Sequence, residues 1–584
     1  MRCIPFRLFF LLIGIPLVVG FTMNGQGVKA VSSCSWIANA SSSDYDWNDG
    51  NNWSCGVVPD SSTDVIINAP TNSYAPNVSD TRVARTVQVS GFLYIGGFGH
   101  LTVGSGWSNS GTAWIDSQGI LTGTGEVKPS GVIHFLASGV IDGNLTIDSG
   151  ATASVDALYA YGNVTNNGNL SSENVDTQFH MLGPLFTNYG TVSTKFFWFE
   201  KGGVQHVSGA GTWSGGIASL TVTGPTHLTA DSDLNFSPLI FFINNDGSVL
   251  DIGAHKVTFN GPSQLGVSGT LTGSTNGTIH TEGVGFEIHI PNGGLFTPPL
   301  DVDGGITHAF GTFSGPITVS LDGTLLVMAA PAGSITATMD VTVNGILGGE
   351  DAAVYFEMQG HILTVNGLVS VADLWLDGTS QQIITGSGQL NLHRLEVDAP
   401  GGLLLSAPLH LDNTLELSGN IVAPTTTITL AEPAVISGAN YDKDIFSTIV
   451  RTGPFQKDKD YSFGNQYLSI HFANSGTLPG SVTMKVSQSP WAGLRGSIKR
   501  SYTIQTSGGS GWSANLLLDY RDNEFLGNAD YLQAWTRPSA SSPWVRQVIS
   551  GTDTNQDWIE FDGLTHFSDW GLVINTLCLP VIRK

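Results

Sequence analysis

From Gly91 to about Asn440 the chain is written in short apolar or alternating runs, each headed by a turn residue. Gly91-Phe-Leu-Tyr-Ile, Gly99-His-Leu-Thr-Val, Gly131-Val-Ile-His-Phe, Gly143-Asn-Leu-Thr-Ile, Gly323-Thr-Leu-Leu-Val and Gly367-Leu-Val-Ser-Val share one unit: a turn, then Gly-x-Leu-x-Val or a close variant. Period-two alternation over a few residues predicts half-buried strands. Recurrence of one unit predicts a repeat architecture. Stacked coils need inward apolar columns, which Leu, Val, Ile and Phe provide, and corners tolerant of positive φ, which Gly and Asn provide. Gln389-Leu-Asn-Leu-His-Arg-Leu-Glu-Val and Leu409-His-Leu-Asp-Asn-Thr-Leu-Glu-Leu read as longer strands with one face outward. Helical periodicity is nearly absent after Val31.

The expected fold is all-β: a right-handed parallel β-solenoid (β-helix) followed by an antiparallel β-sandwich. Residues 1–30 read as a signal peptide, 31–90 as a Trp-rich N-terminal cap, 91–440 as solenoid repeats, 441–575 as the sandwich and 576–584 as a tail. The cap is expected because an open solenoid end exposes backbone edges and apolar columns. Trp36, Trp47 and Trp53 are bulky enough to cover the first coil. After Tyr441, longer alternating strands such as Ser481-Val-Thr-Met-Lys-Val and Asn515-Leu-Leu-Leu-Asp-Tyr predict the sandwich.

Arg2 and Arg7 ahead of the apolar run Leu8 to Phe21, and the ending Val28-Lys29-Ala30, have the form of an export signal. No run reaches the about 20 apolar residues of a membrane span. The expected location is therefore extracellular or at the cell surface.

Charged residues make up 12% of the chain, against 73 Gly and a 41% apolar fraction, which excludes a disordered chain. The formal charge of −24 is concentrated before Asn440, where the only basic residues after Val31 are Arg82, Arg85, Lys128, Lys195, Lys201, Lys256 and Arg394. Such a surface argues against nucleic acid, anionic membranes and polyanionic substrates. Cys34 and Cys55 flank a compact, turn-rich segment and are expected to pair, leaving Cys578 odd; two free thiols are the alternative.

Two segments resemble known proteins. Trp36, Trp47-Asn-Asp-Gly-Asn-Asn-Trp53-Ser-Cys-Gly56-Val-Val-Pro59 and Asp64-Val-Ile-Ile67 resemble the leading segment of bacterial extracellular, autotransporter-like repeat proteins, where it runs into β-solenoid coils. Arg500-Ser-Tyr-Thr-Ile, Leu532-Gln-Ala-Trp535-Thr-Arg537, Trp544 and His566-Phe-Ser-Asp-Trp570-Gly-Leu are similar to the C-terminal β-sandwich of such proteins. The resemblance implies surface location and adhesive or structural use, and carries over no catalytic residue.

β-Solenoids also host polysaccharide lyases, and hydrolases whose chemistry needs paired carboxylates. The only neighbouring acids in the central region are Glu350-Asp351, read with His100 and His361 as solvated turn or strand positions. Lys195 and Lys201 flank Phe196-Phe-Trp-Phe199 without an adjacent Asp cluster. That run is expected to put Phe197 and Phe199 on one face and Phe196 and Trp198 on the other, where they are candidate glycan contacts. Calcium is the one cofactor left open. Asp553, Asn555 and Asp557 have alternating oxygen ligands, but Trp558 stands where a calcium loop needs Gly; Asp44 to Gly50 is similar, with Gly one place late. An Asx-rich turn is the favoured reading of both.

The leading function is thus a non-catalytic surface protein, with extracellular glycans or other cell-surface components as partners. The alternative is a carbohydrate-active enzyme or glycan-binding protein using the solenoid face. A carboxylate cluster lining one outward face favours the enzyme; uniform Thr, Ser and Asn ladders count against it.

Overall fold

The computed structural model describes residues 32–574 apart from 39–44, 70–73, 116–119, 123–126, 130, 173, 175, 215–216, 238–239, 245, 292, 330–332, 352, 439–442 and 466. The expected signal peptide and tail, with Cys578 and Asp44, lie outside the described residues. Among those described there is no α-helix, and none long and apolar enough to cross a membrane.

Short strands close into a parallel β-solenoid of about 17 turns. A turn holds three strands, and each pairs in parallel with its counterpart one turn on. Leu185–Asn188, Thr191–Ser193 and Phe196–Phe199 stack on Gly203–Ser208, Thr212–Trp213 and Ser219–Val222. Hydrogen-bonded neighbours in adjacent coils are typically 21 to 24 residues apart in sequence. Alternation decides what faces inward: Phe197 and Phe199 are buried, Phe196 and Trp198 partly exposed. The interior carries an aromatic spine, with Phe197 stacked on Phe179 at 4.7 Å and Phe259 on Phe236 and Phe286 at 5.4 and 5.1 Å. Buried corner asparagines bond coil to coil, Asn166 Nδ2 donating to Asn188 Oδ1 at 2.9 Å.

Gly203, Gly305 and Gly402 at strand heads have the positive φ expected of corners, but other strand-heading glycines have a different cause. Gly345 and Gly367 do not have positive φ. A Cβ on Gly367 would sit 2.0 Å from the Gly345 carbonyl oxygen, and one on Gly345 would sit 2.2 Å from that of Gly323. Stacked corners approach so closely that a side chain is excluded by the coil below, whatever the backbone angle.

At the N-terminal end Trp36, Trp47 and Trp53 are fully buried, with edge-on contacts at 4.9 and 4.7 Å. A disulfide joins Cys34 to Cys55, their Cα atoms 5.2 Å apart. Parallel stacking already begins here: Ser32–Ser35 pairs with Thr63–Ile67, which pairs with Thr81–Val89. The segment expected only to close the rod therefore also supplies strands to it.

At the other end Ile445–Thr452 pairs in parallel with Ile421–Leu430 and antiparallel with Ser481–Ser487. That strand begins an antiparallel sheet continuing through Ser497–Ser507, Asp569–Ile574, Leu532–Arg537 and Val545–Gln547. A second antiparallel sheet of five strands faces it, and Phe561 meets Trp570 across the core at 4.6 Å. Beside the shared strand Arg500 is buried among Asp444, Asp519 and Glu524, at 2.7, 2.5 and 2.9 Å.

Candidate functional site

One side of the rod gathers chemistry from five consecutive coils. Ser334–Ala337, Tyr355–Met358, Asp373–Leu376, Arg394 to Val397 and Thr414 to Leu417 stack in register. Ile335, Phe356, Leu374, Leu395 and Leu415 point into the core. The outward positions form two columns: Tyr355, Asp373, Arg394 and Thr414 in one, and Glu357, Trp375, Glu396 and Glu416 in the other.

Tyr355 and Trp375 are diagonal neighbours whose rings stack at 4.4 Å and 13°. The Arg394 guanidinium lies 5.7 Å from the Trp375 ring and donates to Glu396 and Glu416 at 2.7 and 2.6 Å. Glu357 accepts from Thr336 Oγ1 at 2.9 Å and Gln359 Nε2 at 2.7 Å. At the strand end the Asp377 carboxyl is raised above the ordinary range, by desolvation first and then by the charge of Glu357. Desolvation also raises Glu396 and Asp373 against the pull of Arg394. A carboxylate cluster thus lines one outward face.

Flat rings beside hydrogen-bond acceptors can pack the C–H face of a sugar and accept from its hydroxyls.

The sequence reading missed these residues because each coil contributes only one or two of them. Their signal lies in aligning Tyr355-Phe-Glu-Met, Asp373-Leu-Trp-Leu, Arg394-Leu-Glu-Val and Thr414-Leu-Glu-Leu as one repeating strand.

Phe196 and Trp198 do point outward, on a different side of the rod. There Tyr159 stacks on His180 at 4.2 Å and His180 meets Trp198 edge-on at 4.4 Å, with Glu200 Oε1 2.6 Å from His180 Nδ1. The same strand stack continues to Ile240 and Phe242, each 37% exposed, beside a shallow groove of about 400 Å³ lined by Ile240, Gln264 and Glu287.

Asp553 Oδ1 accepts from the backbone N–H of Asn555 and Gln556 at 2.8 and 3.2 Å, the hydrogen bonding of an Asx turn. Asp557 is buried at φ 58°, its carboxyl raised by desolvation and then by Asp522. Among the described residues neither belongs to a group of three His, Cys or carboxylate ligands. Asp46 and Asp49 likewise accept from backbone N–H groups two residues on, at 3.0 and 2.9 Å. Glu350 bonds His308 and accepts from Ala329 N at 2.8 Å, and Asp351 accepts from Ala353 N at 2.7 Å.

A scan against protein-family models, a search of curated proteins and a search of solved structures each returned no match. The β-solenoid implied by the resemblance is present, while the bacterial surface family gains no support from these comparisons.

Proposed function

We propose that the chain is an extracellular, adhesive or structural rod that binds glycans along its acidic, aromatic-bearing side. The stacked Tyr355 and Trp375 rings, flanked by Glu357, Glu396 and Arg394, carry this reading. A disulfide and an export-type leader support location outside the cytoplasm. The acidic surface selects neutral or basic sugars over uronates by simple repulsion. The Phe196 and Trp198 side is a secondary contact region, and attachment to a cell surface fits the resemblance to bacterial surface proteins.

Affinity electrophoresis through gels loaded with neutral, basic and uronic polysaccharides tests the proposal. Retardation by a neutral or basic glycan, lost in Trp375→Ala, is expected. Passage without retardation through every gel would overturn it. The carboxylate cluster on this outward face favours a second reading, a carbohydrate-active enzyme. Release of reducing or unsaturated ends by the wild type, abolished in Glu357→Gln, would put the enzyme in place of the binding rod.

A further inference from the structure

On a third side of the rod Thr278–Glu282 stacks between Lys256–Asn260 and Leu300–Val302. His280 alternates outward, above Thr258 and below Asp301, yet is 3% exposed because acidic side chains of two coils close around it. Its Nε2 lies 2.8 Å from Glu282 Oε1 and 3.3 Å from Asp303 Oδ2. Its Nδ1 lies 3.3 Å from Asp301 Oδ2, and Ser320 Oγ donates to the other oxygen of Asp301 at 3.3 Å.

We infer that His280, Glu282 and Asp303 form a site for one divalent transition-metal ion, with zinc as its representative. Three observations converge. The ligand atoms of these residues all lie within 4.8 Å of one another. Ligands bound to zinc at about 2.0–2.2 Å sit about 3.0 Å apart across an octahedral edge and about 3.4 Å apart across a tetrahedral one, and the two separations at Nε2 fall near these values. Asp301 is placed to accept a hydrogen bond from Nδ1–H, which leaves the Nε2 lone pair facing the two carboxylates; this is the carboxylate–histidine–metal arrangement.

Charge points the same way. Among the described residues no Lys or Arg forms an ion pair with Glu282, Asp301 or Asp303, whereas the acids of the aromatic side share Arg394. Three carboxylates converge on one imidazole, and a divalent ion there would offset their negative charge. The nitrogen ligand selects a first-row transition ion over calcium or magnesium, which prefer oxygen alone. Glu282 and Asp303 are 48% and 51% exposed, so ion and water have open access. Bound there, the ion clips one coil to the next.

Equilibrium dialysis of the metal-stripped full-length chain against zinc, with calcium in parallel, tests the site. Wild type is expected to hold one more zinc per chain than Glu282→Gln/Asp303→Asn, and calcium is expected not to distinguish them. Both altered residues are half-exposed, so that variant keeps its fold, which circular dichroism verifies. Asp301→Asn, acting on the orientation of His280, is expected to weaken zinc binding about 10–100-fold. Zinc should raise the melting temperature of the wild type and not of the double variant. Equal zinc uptake by both proteins, or none by the wild type, would overturn the inference.

Discussion

Arg500 Nη2 donates to Asp444 Oδ2 at 2.7 Å across 56 residues of sequence, both side chains buried. Asp444 directly precedes the strand common to solenoid and sandwich, and Arg500 lies in the sandwich strand Ser497–Ser507. Removing the cation leaves Asp444, Asp519 and Glu524 crowded without it. Arg500→Ala should therefore destabilise the C-terminal region by about 3–5 kcal/mol, as expected for breaking a buried ion pair. Urea unfolding followed by the fluorescence of the buried Trp512 and Trp570 measures it.

Asp519 gives this cluster a pH dependence of definite sign. Burial, opposed by Arg500 and aided by Asp444, pushes its carboxyl up to about 6 from an ordinary 3.8. Between those values the folded chain holds a proton that the unfolded chain releases. Its stabilising contribution is present below 3.8 and is lost as pH rises through about 6. Asp444 acts oppositely: despite burial, Arg500 and Arg521 hold it below 3.8, so its contribution is lost on acidification through its lowered value. Thermal unfolding at about pH 4.5 and pH 7.5 should show a smaller difference for Asp519→Asn than for wild type.

The alternation of Phe196-Phe-Trp-Phe199 makes two neighbouring phenylalanines unequal. Phe197→Ala empties part of the aromatic spine and should cost about 3–5 kcal/mol, whereas Phe196→Ala should cost under about 1 kcal/mol. Hydrogen exchange of the two coils from 185 to 222 separates the two outcomes, since a repeat protein does not unfold as one unit.

Corner glycines can be sorted by what a methyl group would meet. Gly367→Ala drives a Cβ to 2.0 Å from a backbone oxygen, while at Gly104 the nearest atom is 3.8 Å away. The first change should destabilise by about 1–3 kcal/mol or more and the second by well under 1 kcal/mol. Comparing soluble yield and melting temperature checks the contrast.

The disulfide closes a separation of 21 residues, a loop for which chain entropy gives about 3 kcal/mol. Cys34→Ser/Cys55→Ser should loosen the N-terminal turn and leave the remaining coils intact. Limited proteolysis, read by where cleavage begins, distinguishes this from general unfolding.

How much of this was legible beforehand follows the range of each interaction. Which of Phe196 and Phe197 faces out depends on strand alternation alone, and the nearness of Cys34 and Cys55 on one local turn; both could be read residue by residue. Glu357 with Asp377, or His280 with Asp303, meet only after the chain has gone around the rod. Coil lengths vary, because turns between strands differ in length, and this blurs the period that would align them. Positive φ was expected at the corners and is found at glycines such as Gly305 and Gly402, but the reason for Gly345 and Gly367 is a carbonyl of the neighbouring coil, which no single strand reveals.

Ile445–Thr452 is hydrogen-bonded along one edge to the solenoid and along the other to the sandwich. A pull applied to the sandwich consequently enters the rod through the backbone hydrogen bonds that join this strand to Ile421–Leu430, which run from coil to coil and bear the load in tension. Tension on the sandwich thereby becomes tension along the rod itself.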